Sequence, residues 1–189
     1  MTRQNQGKVF ELNFKKSIPG YALLYRLPDA AQSFAKSKET RFSRKNPFDF
    51  ILWDDERRIL YALEMKTVSG KSISFERNKD ENGDIHFHQI KGLNEWDKYK
   101  GTICGFIIEF RIIEKTVFID IKEFNKIIKL ISKKSFNFDD LSAHKIKYKT
   151  IPQTKKRVNY VYDVDWFLRS ANYPSPKDNG FSGWLFIKE

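Results

Sequence analysis

Two apolar runs separated by a short charged segment constrain the fold more than any other feature of the chain. The first run spans residues 47–53 and the second spans residues 59–67. Both contain the aromatic and branched aliphatic side chains that are typical of β-strands. Residues 54–58 between them are Asp-Asp-Glu-Arg-Arg, a polar segment typical of a turn. The sequence therefore predicts a β-hairpin.

Three charged side chains interrupt this hairpin: Asp49 lies in the first run, and Glu64 and Lys66 lie in the second. Because side chains alternate along a strand, Glu64 and Lys66 point to the same face. Pairing of the two runs brings Asp49 close to Glu64. Two carboxylates can hold a hard divalent cation, and with a lysine beside it the arrangement suits metal-assisted phosphodiester hydrolysis.

A structural interpretation of the same residues stays open, because a motif this short also occurs by chance. In that interpretation Glu64 and Lys66 form a cross-strand salt bridge on a solvated face of the sheet. Glu-x-Lys occurs once in the chain, and Asp-x-Lys also occurs once, at Asp120 and Lys122. Asp120 and Glu123 predict a capping box for a following helix. Glu64 has no comparable role, and a charge within an apolar strand costs free energy unless it is paired or bound.

The composition points to a polyanionic partner. The 189 residues suit one domain, and the formal net charge of +11 favours nucleic acid first and an anionic membrane surface second. A generically basic protein from a lysine-rich genome is the plain alternative.

The glycines are scattered and form no phosphate-binding loop, so we expect no nucleotide cofactor. The first residues do not resemble a signal peptide and no apolar run approaches a membrane span, so we expect a cytoplasmic protein without membrane contact.

The remaining pattern predicts a mixed α/β domain with mostly antiparallel strands. Helices are expected at residues 4–16, 87–96, 121–133 and 165–168, and further strands at residues 21–27, 72–75, 102–110, 116–120 and 145–149. The last of these alternates Lys145, Lys147 and Lys149 on one face. Cys104 lies in an apolar run and is expected to be a buried thiol. His86 and His88 fit the start of a helix better than a metal site.

Residues 30–46 form a basic segment between two expected strands. It is long for a plain loop in a compact domain, which favours a functional or disordered segment. Its cationic side chains are candidates for phosphate contacts, as are Lys145 and Lys147. The five in the segment are Lys36, Lys38, Arg41, Arg44 and Lys45.

The order of these motifs resembles the RecU-type Holliday junction resolvases, a branch of the PD-(D/E)xK nuclease superfamily. The resemblance covers roughly residues 7–168, and its strongest part is the joint order of Asp49, Glu64-x-Lys66 and His88-Gln89-Ile90. The other matching segments are Gly7-Lys8-Val9-Phe10-Glu11, the run from Ala22 to Pro28, the strand pair and helix at 103–131, and Val161 to Leu168. The superfamily proline is displaced, since Pro47 precedes Asp49 by two positions.

The resemblance implies a single nuclease domain over residues 1–189 with a restriction-endonuclease-like fold, in which helices flank a central mixed sheet. It implies a homodimer that binds four-way DNA junctions and cuts two strands symmetrically with Mg²⁺ or Mn²⁺. Asp49 and Glu64 match the metal-binding acids, and Lys66 matches the lysine that activates the attacking water. Glu11 matches an acid of the first helix and Gln89 a glutamine after the core strands. Without the resemblance, both are ordinary surface residues of helices.

The segment at 30–46 falls where the family carries a protruding stalk that enters the junction, although it is short for that role. Two rival functions stay open at this point. One is a related nuclease that acts on linear duplex DNA, and the other is a non-catalytic basic DNA-binding protein in which Glu64 and Lys66 are structural.

Overall fold

A mixed sheet of six strands forms the middle of the structure, a computed structural model that describes residues 5–28 and 46–170. The helices and strands in chain order are α1 (Gln6–Lys16), β1 (Ala22–Arg26), β2 (Phe50–Asp54), β3 (Ile59–Val68), β4 (Ser72–Ser74), α2 (Phe87–Trp96), β5 (Thr102–Phe110), β6 (Lys115–Asp120), α3 (Ile121–Leu130), β7 (Ser135–Asn137), α4 (Phe138–Ala143), β8 (Lys149–Ile151), β9 (Gln153–Lys156), β10 (Asn159–Tyr162) and α5 (Val164–Arg169). The order in the central sheet is β1-β2-β3-β5-β6-β8.

Strand β3 lies between an antiparallel neighbour and a parallel one. It pairs antiparallel with β2, as the hairpin prediction requires, and parallel with β5. The other neighbouring pairs of the sheet, β1 with β2, β5 with β6 and β6 with β8, are antiparallel. Helix α2 lies in the connection from β3 to β5, because parallel strands need a long crossover.

Apolar layers cover both faces of the sheet, which explains why the central strands are apolar on both sides. Ala62, Cys104 and Phe106 belong to one core, which is continued by side chains of α2 and α3. Leu63 and Ile107 belong to the other core, which is continued by side chains of α1, α5 and β10. Glu64 is two residues from Ala62 along β3, so it lies on the face that α2 and α3 cover.

The structure confirms the expected fold class, a central mixed sheet flanked by helices. Cys104 is fully buried, as expected, and burial raises the pKa of its thiol to about 12. The basic segment at 30–46 lies outside the described residues, apart from residue 46. Among the helices of the described ranges, none is long and apolar enough to cross a membrane.

The strand predicted at residues 145–149 is wrong. Helix α4 ends at Ala143 with His144 as its C-cap residue, and Lys145 then adopts a left-handed backbone with φ of 53°. Residues 146–148 belong to neither helix nor strand, and pairing with β6 begins only at Lys149, which lies opposite Phe118. The alternation of Lys and apolar residues therefore reflects the burial of Ile146 beside exposed lysines.

The capping box predicted for α3 forms only in part. The Asp120 side chain caps the helix by accepting a hydrogen bond from the Lys122 backbone N–H at 2.8 Å. Glu123 instead accepts hydrogen bonds from Lys126 Nζ at 2.6 Å and from the Lys147 backbone N–H at 3.0 Å. Asp120 therefore has the structural role that the sequence assigned to it.

The close approach of α2 to the segment that leads into β2, which contains Pro47 and Asp49, requires a glycine. A Cβ atom added to Gly92 would overlap the Pro47 side chain and lie 2.6 Å from the Pro47 carbonyl oxygen.

We expect Gly92→Ala to lower the free energy of unfolding by about 1 to 3 kcal/mol, because overpacking displaces α2 or the segment around Pro47. Urea denaturation measures this change. Gly70→Ala is the control, since no atom lies within 4 Å of its added Cβ, and a change there of similar size would contradict the explanation.

Candidate active site

The register of the β2–β3 hairpin brings the two predicted acids together. Phe50 pairs with Leu63, so the same register continued by one residue places Asp49 opposite Glu64. The Leu27 backbone N–H donates a hydrogen bond of 2.8 Å to the Asp49 carbonyl oxygen. This bond holds the chain at Asp49 against the end of β1, and Asp49 is a half-buried residue immediately before β2.

Glu64 is buried, with 1% of its surface exposed, and its two carboxylate oxygens have different surroundings. Oε1 lies 3.0 Å from Lys66 Nζ and accepts a hydrogen bond of 2.5 Å from Gln89 Nε2. Oε2 is also buried, and no donor in residues 5–28 and 46–170 hydrogen-bonds to it, although the Asp49 side chain lies within hydrogen-bonding range of the Glu64 carboxyl. The protein therefore satisfies one oxygen twice and leaves the other available to a ligand.

Gln89 is a member of this site and is not a surface amide of its helix. It is buried with 7% exposure, and its side chain makes a hydrogen bond at each end of the amide group. Its Oε1 accepts a hydrogen bond of 2.9 Å from the His86 backbone N–H, which is otherwise an unsatisfied donor at the start of α2. Its Nε2 bonds to Glu64. The amide thus ties the beginning of α2 to the buried carboxylate.

The environment of Glu64 disfavours its ionised form. The pKa of this carboxyl is raised from 4.5 to about 8, chiefly by burial, and the neighbouring charge of Asp49 contributes in the same direction. The positive charge of Lys66 acts in the opposite direction without cancelling the effect of burial. A strongly raised pKa beside a second carboxyl and a lysine is typical of a functional site.

These contacts contradict the salt-bridge interpretation in the form that the sequence suggested. The ion pair joins Glu64 to Lys66 within one strand, and the face that it occupies is buried rather than solvated. A purely structural pair at this depth would need partners for both carboxylate oxygens to offset the loss of hydration. The vacant hydrogen-bonding capacity of Oε2 instead fits a cation, because hard divalent cations prefer carboxylate oxygens.

The described ranges contain no group of three or more His, Cys, Asp or Glu side chains arranged to hold a metal. Glu11 therefore does not join Asp49 and Glu64 in a three-acid cluster. It lies on α1, where its carboxylate forms an ion pair of 3.3 Å with Arg26 Nε. Arg26 is the last residue of β1, and the next residue, Leu27, hydrogen-bonds to the Asp49 backbone. Glu11 therefore approaches the part of the chain next to Asp49.

The remaining candidate residues lie away from this cluster or outside the described residues. Lys145 and Lys147 are exposed, between α4 and β8. The basic side chains at 36, 38, 41, 44 and 45 lie outside the described ranges. His86 is the N-cap residue of α2 and His88 lies in its first turn, as the helix-start interpretation expected. Glu76, a buried carboxylate bonded to His86, was missed because no sequence motif marks it.

Comparison with known proteins agrees with these observations. The family model described as "RecU: Recombination protein U" matches residues 38–165, which is more than half of the chain. The chain therefore belongs to the RecU family, and its general role is that of a RecU-type Holliday junction resolvase, an endonuclease that acts on branched DNA. The resemblance to the RecU-type Holliday junction resolvases is confirmed.

The chain is also similar to a protein of a Bacillus subtilis prophage. It is 33% identical over 176 residues to the "SPbeta prophage-derived uncharacterized protein YotM" of Bacillus subtilis strain 168. The match covers 86% of this chain and 84% of that protein.

The raised pKa of Glu64 predicts that the metal-free protein loses stability as the pH rises from about 4.5 to about 8. In this range the folded state holds a proton on Glu64 that the unfolded state has released, so stability falls with increasing pH. In EDTA, we expect Glu64→Gln to be more stable than the wild-type protein at pH 8.5, by at least about 1.4 kcal/mol, the free energy of one pKa unit. Urea unfolding at pH 5, 7 and 8.5 measures the difference, which should shrink towards pH 5.

Glu95→Gln, on the exposed side of α2, is the matched control and should show no such trend. A difference between Glu64→Gln and wild type that stays constant across this pH range would contradict the assignment of a raised pKa to Glu64.

Proposed function

We propose that this RecU-family protein is a metal-dependent endonuclease that resolves four-way DNA junctions by symmetric phosphodiester hydrolysis. The observation that supports the proposal most is the buried Glu64 carboxylate, which lies opposite Asp49 and has one oxygen without a protein partner. The family supplies the substrate class. A cytoplasmic location follows from that substrate.

Asp49 and Glu64 are the residues that would hold the cation, with Mg²⁺ as the proposed metal and Mn²⁺ as a substitute. Both are carboxylates, the ligand type that these ions prefer, and Glu64 Oε2 is a donor that the protein leaves without a partner. When bound, such a cation lowers the pKa of a water molecule and stabilises negative charge on the phosphate oxygens. The PD-(D/E)xK assignment rests on this pair together with Lys66.

Lys66 and Gln89 have different parts in the proposed reaction. The Lys66 ammonium group lies 3.0 Å from Glu64 Oε1, so its positive charge is held beside the carboxylate where we propose that the scissile phosphate binds. There it stabilises the negative charge that develops as water attacks phosphorus. Gln89 holds the Glu64 carboxylate in one orientation through its hydrogen bond to the same oxygen. Glu11 is proposed to act at the border of the site through its ion pair with Arg26.

DNA binding is proposed to rest on phosphate contacts, which carry little sequence information. The net charge of +11 supplies the attraction. Lys145 and Lys147 are exposed and suited to general phosphate contact. We propose that the basic segment at 30–46 is a stalk within a single nuclease domain of 189 residues and contacts the junction centre, where phosphates crowd.

Symmetric cleavage needs two active sites on one junction, and one chain supplies one Asp49–Glu64 pair. We therefore propose a two-fold homodimer, in which a self-complementary interface orients the two sites on the same DNA. Sedimentation at the concentrations used for cleavage tests the assembly. A monomer that makes paired cuts would exclude the dimer.

The rival interpretations differ from the proposal in measurable ways. A nuclease for linear duplex would cut duplex and junction at similar rates. A non-catalytic binding protein would leave all DNA intact in Mg²⁺. The partnerless Glu64 Oε2 argues against the second rival, because a structural carboxylate at this depth would leave a buried polar atom unsatisfied for no gain.

Substitution of the acids or the lysine should separate cleavage from binding. We expect Asp49→Asn, Glu64→Gln and Lys66→Ala each to lower the single-turnover rate on a four-way junction in Mg²⁺ by at least about a hundredfold. Junction affinity in EDTA should change little, because these residues act on the cation and the reacting phosphate. We expect a smaller loss of rate for Glu11→Gln. Gel-resolved cleavage and fluorescence binding measure the two quantities.

Lys122→Ala is the matched control, since Lys122 belongs to the other acid-x-Lys string and pairs with Asp97 at the surface. It should cut at the wild-type rate. Cleavage by the wild-type protein in EDTA, or wild-type rates for the Asp49 or Glu64 variants, would refute the metal site.

Neutralising the basic segment tests its proposed role. Replacement of its five cationic residues by Gln should weaken binding to a junction far more than binding to linear duplex, and should reduce the salt slope of log K by up to about 0.9 for each lost phosphate contact. Lys145→Gln with Lys147→Gln is the control and should weaken both substrates alike. Equal losses from the five-residue variant would show that the segment is only a general phosphate contact.

A further inference from the structure

A second buried carboxylate lies beside the proposed active site and holds a histidine. Glu76 has 7% exposure and accepts three hydrogen bonds. They come from His86 Nδ1 at 2.7 Å, from the Phe87 backbone N–H at 2.7 Å and from the Gly83 backbone N–H at 3.2 Å. Burial acts to raise the pKa of Glu76, but the hydrogen bonds from His86 and Phe87 outweigh it and the pKa is lowered. Glu76 is therefore an ionised acceptor.

This contact fixes the orientation and protonation pattern of the His86 ring. Because Glu76 accepts at Nδ1, that nitrogen carries a proton, and proton exchange is left to Nε2 on the far side of the ring. The His86 side chain is about half exposed, at 47%, and its ring stacks on the His88 ring with centroids 5.5 Å apart. A carboxylate-oriented imidazole with access to solvent is an arrangement suited to proton transfer.

Two lines of contact connect His86 to the site. Its backbone N–H bonds to Gln89 Oε1 at 2.9 Å, and the other end of that amide bonds to Glu64. Asp84 provides the second connection. The Asp84 carboxylate accepts hydrogen bonds from the Ser74 hydroxyl at 2.6 Å and the Ser74 backbone N–H at 3.1 Å. Burial opposes ionisation of Asp84, but these hydrogen bonds, together with the charges of Lys66 and His86, lower its pKa.

The proposed hydrolysis needs a proton donor that the residues around Glu64 do not supply. As the water oxygen forms its bond to phosphorus, the bond from phosphorus to one sugar oxygen breaks and its electron pair goes to that oxygen. A proton must neutralise this leaving oxygen. Among the described side chains that bond to Glu64, Lys66 is held as an ion-pair partner and the Gln89 amide does not ionise.

We propose that His86, oriented by Glu76, is the general acid that donates its Nε2 proton to the leaving sugar oxygen. The attacking water loses its proton to solvent, and His86 regains one from solvent after cleavage. Atoms and charge therefore balance without another reactant. This inference rests on the proposed function, since it assigns a further residue to the same hydrolysis.

Sulfur at the leaving position provides the test, because a thiolate leaves without a proton. The ends of the wild-type products show which sugar oxygen leaves, and a junction is then made with sulfur in place of that oxygen. On the ordinary junction in Mg²⁺, we expect His86→Asn to lower the single-turnover rate by about 10² to 10⁴. On the sulfur junction, we expect the rate of the His86→Asn variant to be within a few-fold of the wild-type rate. Asn is accepted at helix N-caps, so this variant preserves the start of α2.

Glu76→Gln should show a smaller loss with the same rescue by sulfur, since it affects the reaction through the orientation of His86. His144→Ala, at the end of α4, is the histidine control and should behave as wild type on both substrates. Equal loss for His86→Asn on the two junctions, or no loss on either, would overturn the assignment. Failure of the wild-type protein to cut in Mg²⁺ would instead refute the proposed function itself.

Discussion

The buried carboxylate of Glu64 is the interaction on which the arrangement around the site depends. Removing a charge from water costs several kcal/mol unless neighbouring groups compensate, so Glu64 is tolerated only where its partners are fixed. Lys66 comes from the same strand, and Gln89 comes from α2. The amide of Gln89 in turn holds the first turn of α2 through the His86 backbone N–H. The contact of Gly92 with Pro47 sets the separation of this helix from the segment that precedes Asp49 and β2.

The unequal treatment of the two Glu64 oxygens is a compromise between stability and chemistry. A protein selected only for stability would satisfy both oxygens or replace the acid by an apolar residue. Here Oε1 contacts both Lys66 and Gln89, whereas Oε2 has no hydrogen-bond donor within the described ranges. Such a local defect is expected where a site must bind something else, and the surrounding apolar layers supply the stability that it lacks.

The sequence predicted the hairpin and the common face of Glu64 and Lys66, because strand alternation follows from local geometry. It did not predict from residue pattern alone that Gln89 is buried, since the helix pattern of Ile90 and Leu93 does not say which residue of the first turn meets β3. The β9–β10 hairpin was also missed. Its strands are only four residues long, β9 carries two lysines, and its turn at Arg157, with φ of 55°, has none of the usual Gly or Asn signals. Tertiary contact decided these features, and local sequence did not encode them.

The connection from β3 through α2 to β5 also orders events during folding. Asp49 and Glu64 meet across a local hairpin, which closes early, whereas Gln89 lies 25 residues from Glu64 and arrives only when the crossover forms. Parallel pairing of β3 with β5 joins segments that are far apart in sequence, and we expect such a contact to form later than the hairpin. Until that pairing forms, the Glu64 carboxylate stays hydrated. Its water is lost only when α2 docks and Gln89 reaches the carboxylate. The nascent hairpin therefore carries its acids in solvent, where they also discourage edge-to-edge association with other chains.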